Sequence, residues 1–189
     1  MQDAERTREA GSIGAGIRRE RLRRGLTLAQ LAAQVSLTVS ALSQIERGTS
    51  DPSVSSLRRI AAAFDIPMFR FLVGPTRREV VVRRAERIRL RFHDQDVEYE
   101  LVSADTSGEF EILDLVLKPG ASATAAASSH SAEECSVVLR GTIRVELDGE
   151  EHQLDIGDSI TIHSEIPHRF SNPGPDEAEV LMVLSPPTF

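Results

Sequence analysis

Gly25-Leu26-Thr27-Leu28-Ala29-Gln30-Leu31-Ala32, followed ten residues later by Leu42-Ser43-Gln44-Ile45-Glu46-Arg47-Gly48, is the stretch whose reading decides the fold. Leu28, Leu31, Ala32 and Val35 recur at the spacing of one helical face. Thr27 and Gln30 stand three apart, as the two halves of a capping box do. Leu42 and Ile45 give the next segment an apolar face, and Gly48 stops it. Only the short Ser36-Leu37 turn separates the two segments, so they form a helix-turn-helix.

Outward from this pair the helical grammar continues. Ser12 to Arg24 reads as a first helix ended by Gly25, and Asp51-Pro52-Ser53 opens a fourth with Leu57, Ile60, Ala61 and Phe64. Met68, Phe69 and Leu72 mark a short fifth before Gly74-Pro75 breaks it. Beyond Pro75 the text turns strand-like. Arg87-Ile88-Arg89-Leu90-Arg91-Phe92 alternates strictly, and a series of short apolar runs follows up to Val180–Leu184. Asp148-Gly149 lies between two of them as a hairpin turn. Ala121 to Ser129 reads as a loop. Many short strands at this spacing imply a β-sandwich or small barrel. The expected organisation is a disordered tail over residues 1–11, a five-helix all-α bundle over 12–72, a linker over 73–86 and an all-β domain over 87–189.

Charge follows the same division. Residues 1–78 carry thirteen Arg against seven Asp or Glu, a surplus of +6, and residues 79–189 carry nine basic against 22 acidic, −13, within a total of −7. The local field of the first half suits a phosphate backbone, and that of the second half is repelled by it. No run approaches the roughly 18 apolar residues of a membrane helix. The N-terminal residues lack the apolar core of a signal peptide. One cysteine, Cys135, leaves no internal disulfide and fits a reducing compartment. The reading is a cytoplasmic protein without a membrane partner. Cys135 follows Glu134 in a strand, so period two sends it to the opposite face, as a buried structural side chain in preference to a redox-sensing thiol.

The first half, through every helix of residues 12–72, resembles the Xre/Cro, lambda-repressor-like DNA-binding domain. That resemblance implies a third helix in the major groove of a pseudo-palindromic operator, bound by a homodimer. By position it places Thr38, Val39, Ser40, Ser43, Gln44 and Arg47 at the DNA, with Gln30 either on a phosphate or closing its capping box. Gln44 is the best base reader, since its amide both donates to and accepts from adenine. Val39 stands where a polar reader is usual and suits a thymine methyl. The resemblance also implies an ion pair between Arg21 and Glu46.

The second half resembles the cupin, a double-stranded β-helix or small jelly-roll barrel. His130, Glu134 and Gly141 keep the spacing of its first motif, and Gly157, His168 and Asn172 that of its second. Ser128 stands where the first motif has another histidine. His130, Glu134 and His168 form the two-His, one-carboxylate set of non-haem iron proteins, which implies one divalent metal (Fe, Ni, Mn or Zn). Two functions fit. One is a transcription regulator whose cupin domain senses a small-molecule effector and which has no catalytic residues. The other is an iron oxidoreductase similar in layout to hydroxypropylphosphonate epoxidase, with a vestigial helix-turn-helix.

Overall fold

A computed structural model describes residues 13–72, 80–92, 96–104 and 106–188. The expected tail over 1–11 and much of the expected linker over 73–86 lie outside the described residues. The helices are α1 (Ile13–Arg23), α2 (Leu28–Gln34), α3 (Val39–Glu46) and α4 (Val54–Ala63). The fifth expected helix is instead a single 3-10 turn, Met68–Phe71. Pro67 fixes its start, and the closing bonds run from Arg70 N to Pro67 O and from Leu72 N to Phe69 O, at 3.0 and 2.9 Å. A segment this short completes a three-residue repeat but no longer helix.

Local chemistry sets the helix ends. Thr27 Oγ1 accepts the Gln30 amide at 3.2 Å, while Gln30 Oε1 accepts the Thr27 amide at 2.8 Å. Thr38 caps α3 through the Ala41 amide, and Ser53 caps α4 through the Ser56 amide. Ile17, Leu31, Leu42, Ile45, Leu57 and Phe64 are buried together between the helices. The axes of α2 and α3 differ by 109°. A bidentate ion pair between helices holds α3 to α1: Arg21 Nε and Nη2 donate to Glu46 Oε1 and Oε2 at 2.6 and 2.8 Å. Its third donor, Nη1, reaches Leu26 O at 2.7 Å. Two glycines let α1 sit closer still. A Cβ at Gly14 would fall 1.9 Å from Ile45 O, and one at Gly16 would fall 2.3 Å from Phe71 O. Among the described residues no single helix is long and apolar enough to cross a membrane.

The rest of the chain forms two sheets. The strands are β1 (Ile88–Phe92), β2 (Val97–Leu101), β3 (Glu111–Leu117), β4 (Glu133–Arg140), β5 (Ile143–Leu147), β6 (Glu150–Leu154), β7 (Ser159–Ile162), β8 (His168–Ser171) and β9 (Ala178–Ser185). They order as β1-β2-β3-β9-β4-β7 in one sheet and β6-β5-β8 in the other, with every named pairing antiparallel. Leu113, Leu115, Val145, Phe170 and Met182 are buried in the barrel core. Residues 121–129 are less free than a loop reading implies, because bridges join Ser122 to Ser171 and Ser128 to His168. Cys135 is exposed, not buried. The period of two along β4 turns Glu134 and Ser136 inward and leaves Cys135 on the outer face.

Just before β1, Arg87 Nη1 meets Glu100 of β2 and Asp114 of β3, at 3.3 and 3.2 Å. Burial pushes the Asp114 carboxyl up to about 6, with Glu179 and Glu100 adding to the effect. A carboxyl with a raised native pKa favours folding below that value and loses this contribution as pH rises through it. Replacing Asp114 by Asn should therefore help stability most at neutral pH. The advantage should shrink as pH falls through about 6, measured by thermal unfolding across that range. For the helical domain, Arg21→Met leaves Glu46 buried without its partner and should cost about 3–5 kcal/mol in denaturant unfolding. A loss below about 1 kcal/mol, the scale of a surface pair, would show the ion pair to be inert.

Candidate nucleic-acid interface and candidate metal centre

The third helix presents two faces. Leu42, Ile45 and Glu46 are buried against the bundle. Thr38, Val39, Ser40, Gln44 and Arg47 are exposed on the other side, with Ser43 half-buried among them. Val39, 47% exposed, is an apolar side chain in water at the first turn of the helix. Gln30 is exposed while its oxygen serves the capping box, so its amide nitrogen is the part left to reach outward. The basic residues of α1 are less uniform than a solvated face. Glu20 pairs with Arg23 and Arg24, and it is held below the usual carboxylate range chiefly by the Arg23 hydrogen bond. Arg24 also donates to Phe64 O, and its guanidinium lies 5.0 Å from the centre of the Phe64 ring. Arg18 and Arg19 are exposed.

The barrel brings His130, Glu134 and His168 together from both sheets, their ligand atoms all within 4.8 Å of one another. Glu134 lies on β4 with no exposure, flanked by Leu184 of β9 and Ile162 of β7. His130 precedes β4, and His168 opens β8 in the smaller sheet. Each imidazole is oriented through its Nδ1. That of His130 lies 3.1 Å from Ala132 O, and that of His168 lies 2.8 Å from Ile166 O. A carbonyl can only accept, so Nδ1 carries the proton and Nε2 turns its lone pair toward the centre. The two Nε2 atoms lie 3.2 and 3.7 Å from Glu134 Oε2. Ser136 donates to the other carboxylate oxygen at 2.6 Å.

Electrostatics at this point favours a cation. Burial works to raise the Glu134 pKa, but its close contacts with His130, Ser136 and His168 outweigh it, leaving it below the usual range. Burial depresses the pKa of His168, which favours its neutral form. Two neutral nitrogens and a carboxylate oxygen then aim lone pairs at one point, which a shared proton or a metal ion relieves. Nitrogen and oxygen donors with oriented imidazoles suit a first-row divalent ion. The residues therefore fit the metal that the motif implies, and they leave coordination positions open for another molecule. His163, by contrast, is exposed and faces Glu133 at 3.2 Å, away from this cluster.

Three neighbours of the centre were not singled out by sequence reasoning. Ser136 has the period-two spacing from Glu134 that could have marked it. Tyr99, the chain's one tyrosine, is fully buried, and burial pushes its phenol up to about 12. The third is Arg58, which leaves α4 to donate from Nη1 to Ser128 Oγ at 3.0 Å. It lines a pocket with Tyr99, Thr124, His168 and Arg169.

Comparison with known proteins agrees with both halves. A helix-turn-helix family model, HTH_3, matches residues 17–71, and a cupin domain model, Cupin_2, matches residues 113–184. The HTH-type transcriptional regulator PuuR of Escherichia coli (strain K12) is 27% identical over 173 residues, covering 89% of this chain and 92% of that one. The HTH-type transcriptional regulator SutR of the same organism is 25% identical over 162 residues, covering 86% and 88%. The crystal structure of an HTH_3 family transcriptional regulator from Vibrio cholerae superposes with a TM-score of 0.71 at 24% identity, covering 93% of this chain and 96% of that one, and so shares its fold. These named relatives are regulators, which favours that reading over the oxidoreductase. The chain thus joins a region similar to the helix-turn-helix family to one similar to the cupin domain, and over most of its length it is similar to the transcriptional regulators PuuR and SutR.

Proposed function

We propose that the protein is a one-component, cytoplasmic transcription regulator that binds a pseudo-palindromic operator as a homodimer and responds to a small-molecule effector held in its barrel. The observation that carries this reading is the exposed row Thr38, Val39, Ser40 and Gln44 on α3, with Ser43 half-buried beside it and the helix fixed by the buried Arg21–Glu46 pair. In the major groove Gln44 reads a base, Val39 packs against a thymine methyl, and Thr38, Arg47 and the Gln30 amide hold phosphates. The surplus of positive charge in this half, against −13 in the other, turns the helices and not the barrel toward the duplex.

His130, Glu134 and His168 would hold one divalent ion, Fe, Ni, Mn or Zn. Its chemistry there is that of a Lewis acid, offering a charged anchor to an oxygen or nitrogen of the effector. Ser136 fixes the carboxylate, and the carbonyls of Ala132 and Ile166 fix the two rings. An effector changes operator affinity only by as much as it discriminates between DNA-competent and incompetent arrangements of the two domains.

A footprint on the DNA flanking the protein's own gene, with excess competitor, should show a short protected palindrome. Gln44→Ala should cost about 1–3 kcal/mol at the preferred site and relax the preference at one base position per half-site. Equal loss on every sequence would remove Gln44 from base reading. For the barrel, elemental analysis after loading and desalting should find one of the four metals at one per chain, and none in His130→Ala or His168→Ala. Wild-type protein that retains none of the four would leave the cluster to a shared proton.

A further inference from the structure

Arg58 belongs to the helical half by sequence and packing, since its neighbours Leu57, Ile60 and Ala61 on α4 are buried in the helical core. Its guanidinium nevertheless ends at the barrel, where Nη1 donates to Ser128 Oγ at 3.0 Å. Ser128 is bound in turn to His168. Ser128 N donates to His168 O at 3.0 Å, and His168 N donates to Ser128 O at 3.1 Å. Arg58 and His168 also line one cavity, together with Tyr99, Ala123, Phe170 and Met182. The cavity has room for about one water, and its walls are mostly apolar. Little solvent therefore stands between the guanidinium and the imidazole, and charges here are weakly screened. Burial is the main force that keeps His168 neutral, and the positive charge of Arg58 works in the same direction.

A divalent ion at the centre would bring more positive charge to the same place. Glu134 cancels part of it and two neutral imidazoles cancel none, so a filled centre stays net positive. Arg58 then faces a like charge across an apolar gap, while Ser128 offers it only a neutral hydroxyl in return. We propose that Arg58 is a charge-sensing tie between the two domains. Its guanidinium leaves Ser128, and this contact of α4 with the barrel is broken, when His130, Glu134 and His168 take up a divalent ion. The idea rests on the sensor reading of the barrel, and it makes the ion a signal as well as an anchor. Such coupling is reciprocal: by the factor that the ion weakens the tie, the tie weakens the hold on the ion. Removal of the Arg58 charge therefore strengthens ion binding, whereas removal of a residue that merely props His168 through Ser128 would weaken it.

The test uses full-length protein loaded with zinc, nickel, manganese or ferrous iron alone, with affinity read by competition against a chelator. The ion that counts is one retained by the wild type and lost in His130→Ala. Arg58→Met should bind it about tenfold more tightly, the scale of removing one like charge across a poorly solvated gap. Arg58→Gln, which keeps a donor for Ser128 without the charge, should do the same. Arg58→Lys, which keeps the charge, should stay at the wild-type value, as should Arg59→Met, an exposed neighbour on the same helix. The ion should also shift operator affinity in the wild type and not in Arg58→Met or Arg58→Gln, whose retained operator binding shows that they are folded. Equal or weaker ion binding in either neutral variant would overturn the proposal. So would an operator shift that survives in them, an operator affinity that the ion leaves unchanged in the wild type, or a wild type that retains none of the four ions. Absence of an operator footprint in the wild type, with and without the ion, would instead strike the regulator reading, leaving the ion affinities to decide the role of Arg58.

Discussion

A carboxylate with no exposure to water sits in the middle of the barrel, and the arrangement around Glu134 follows from making that tolerable. An isolated charge in such a place costs several kcal/mol or more, so it persists only where donors and positive charge surround it. Ser136 supplies a donor from the same strand, and the two imidazoles close over the other oxygen, His130 from the segment before β4 and His168 from the smaller sheet. His168 arrives there because β8 is pinned along residues 122–128 by the Ser122 and Ser128 bridges. The segment that positions the second histidine thus also receives Arg58 from the helical half. The buried charge, the candidate metal centre and the junction between domains are consequences of one local demand.

The helical half solves a different problem. A helix of eight residues such as α3 has little stability of its own, and its direction must come from what it leans on. The Arg21–Glu46 pair supplies that direction with two short hydrogen bonds whose geometry admits one mutual orientation. The exposed side of α3 is correspondingly free of packing duties, and it carries even an apolar Val39 in water.

How much of this was legible in the sequence depends on the range of the signal. Caps, apolar periodicity and glycine stops act within four residues, so α1 to α4 and the Thr27–Gln30 box are readable directly. The 3-10 turn at Met68–Phe71 was read as a helix because its apolar residues have helical spacing, while Pro67 and the shortness of the segment decide its hydrogen bonding. Cys135 was read as buried because cysteine usually is. The period of two already sent it to the face opposite Glu134, and that face is open to water. The histidines and Glu134 were visible through the cupin spacing. Arg58 carried no such mark, since its partner lies 70 residues away and a serine has no signature as an acceptor.

Gly14 and Gly16 give α1 an unusual mechanical character. The helix touches α3 at Ile45 O and the 3-10 turn at Phe71 O through bare backbone, with no Cβ between. Side chains absorb small displacements by changing rotamer, whereas two main chains in contact have no such slack. Phe71 closes the 3-10 turn at the end of the helical half. A displacement of the turn at Phe71 is therefore passed to the first turn of α1 without slack, and that first turn bears directly on α3 two residues earlier.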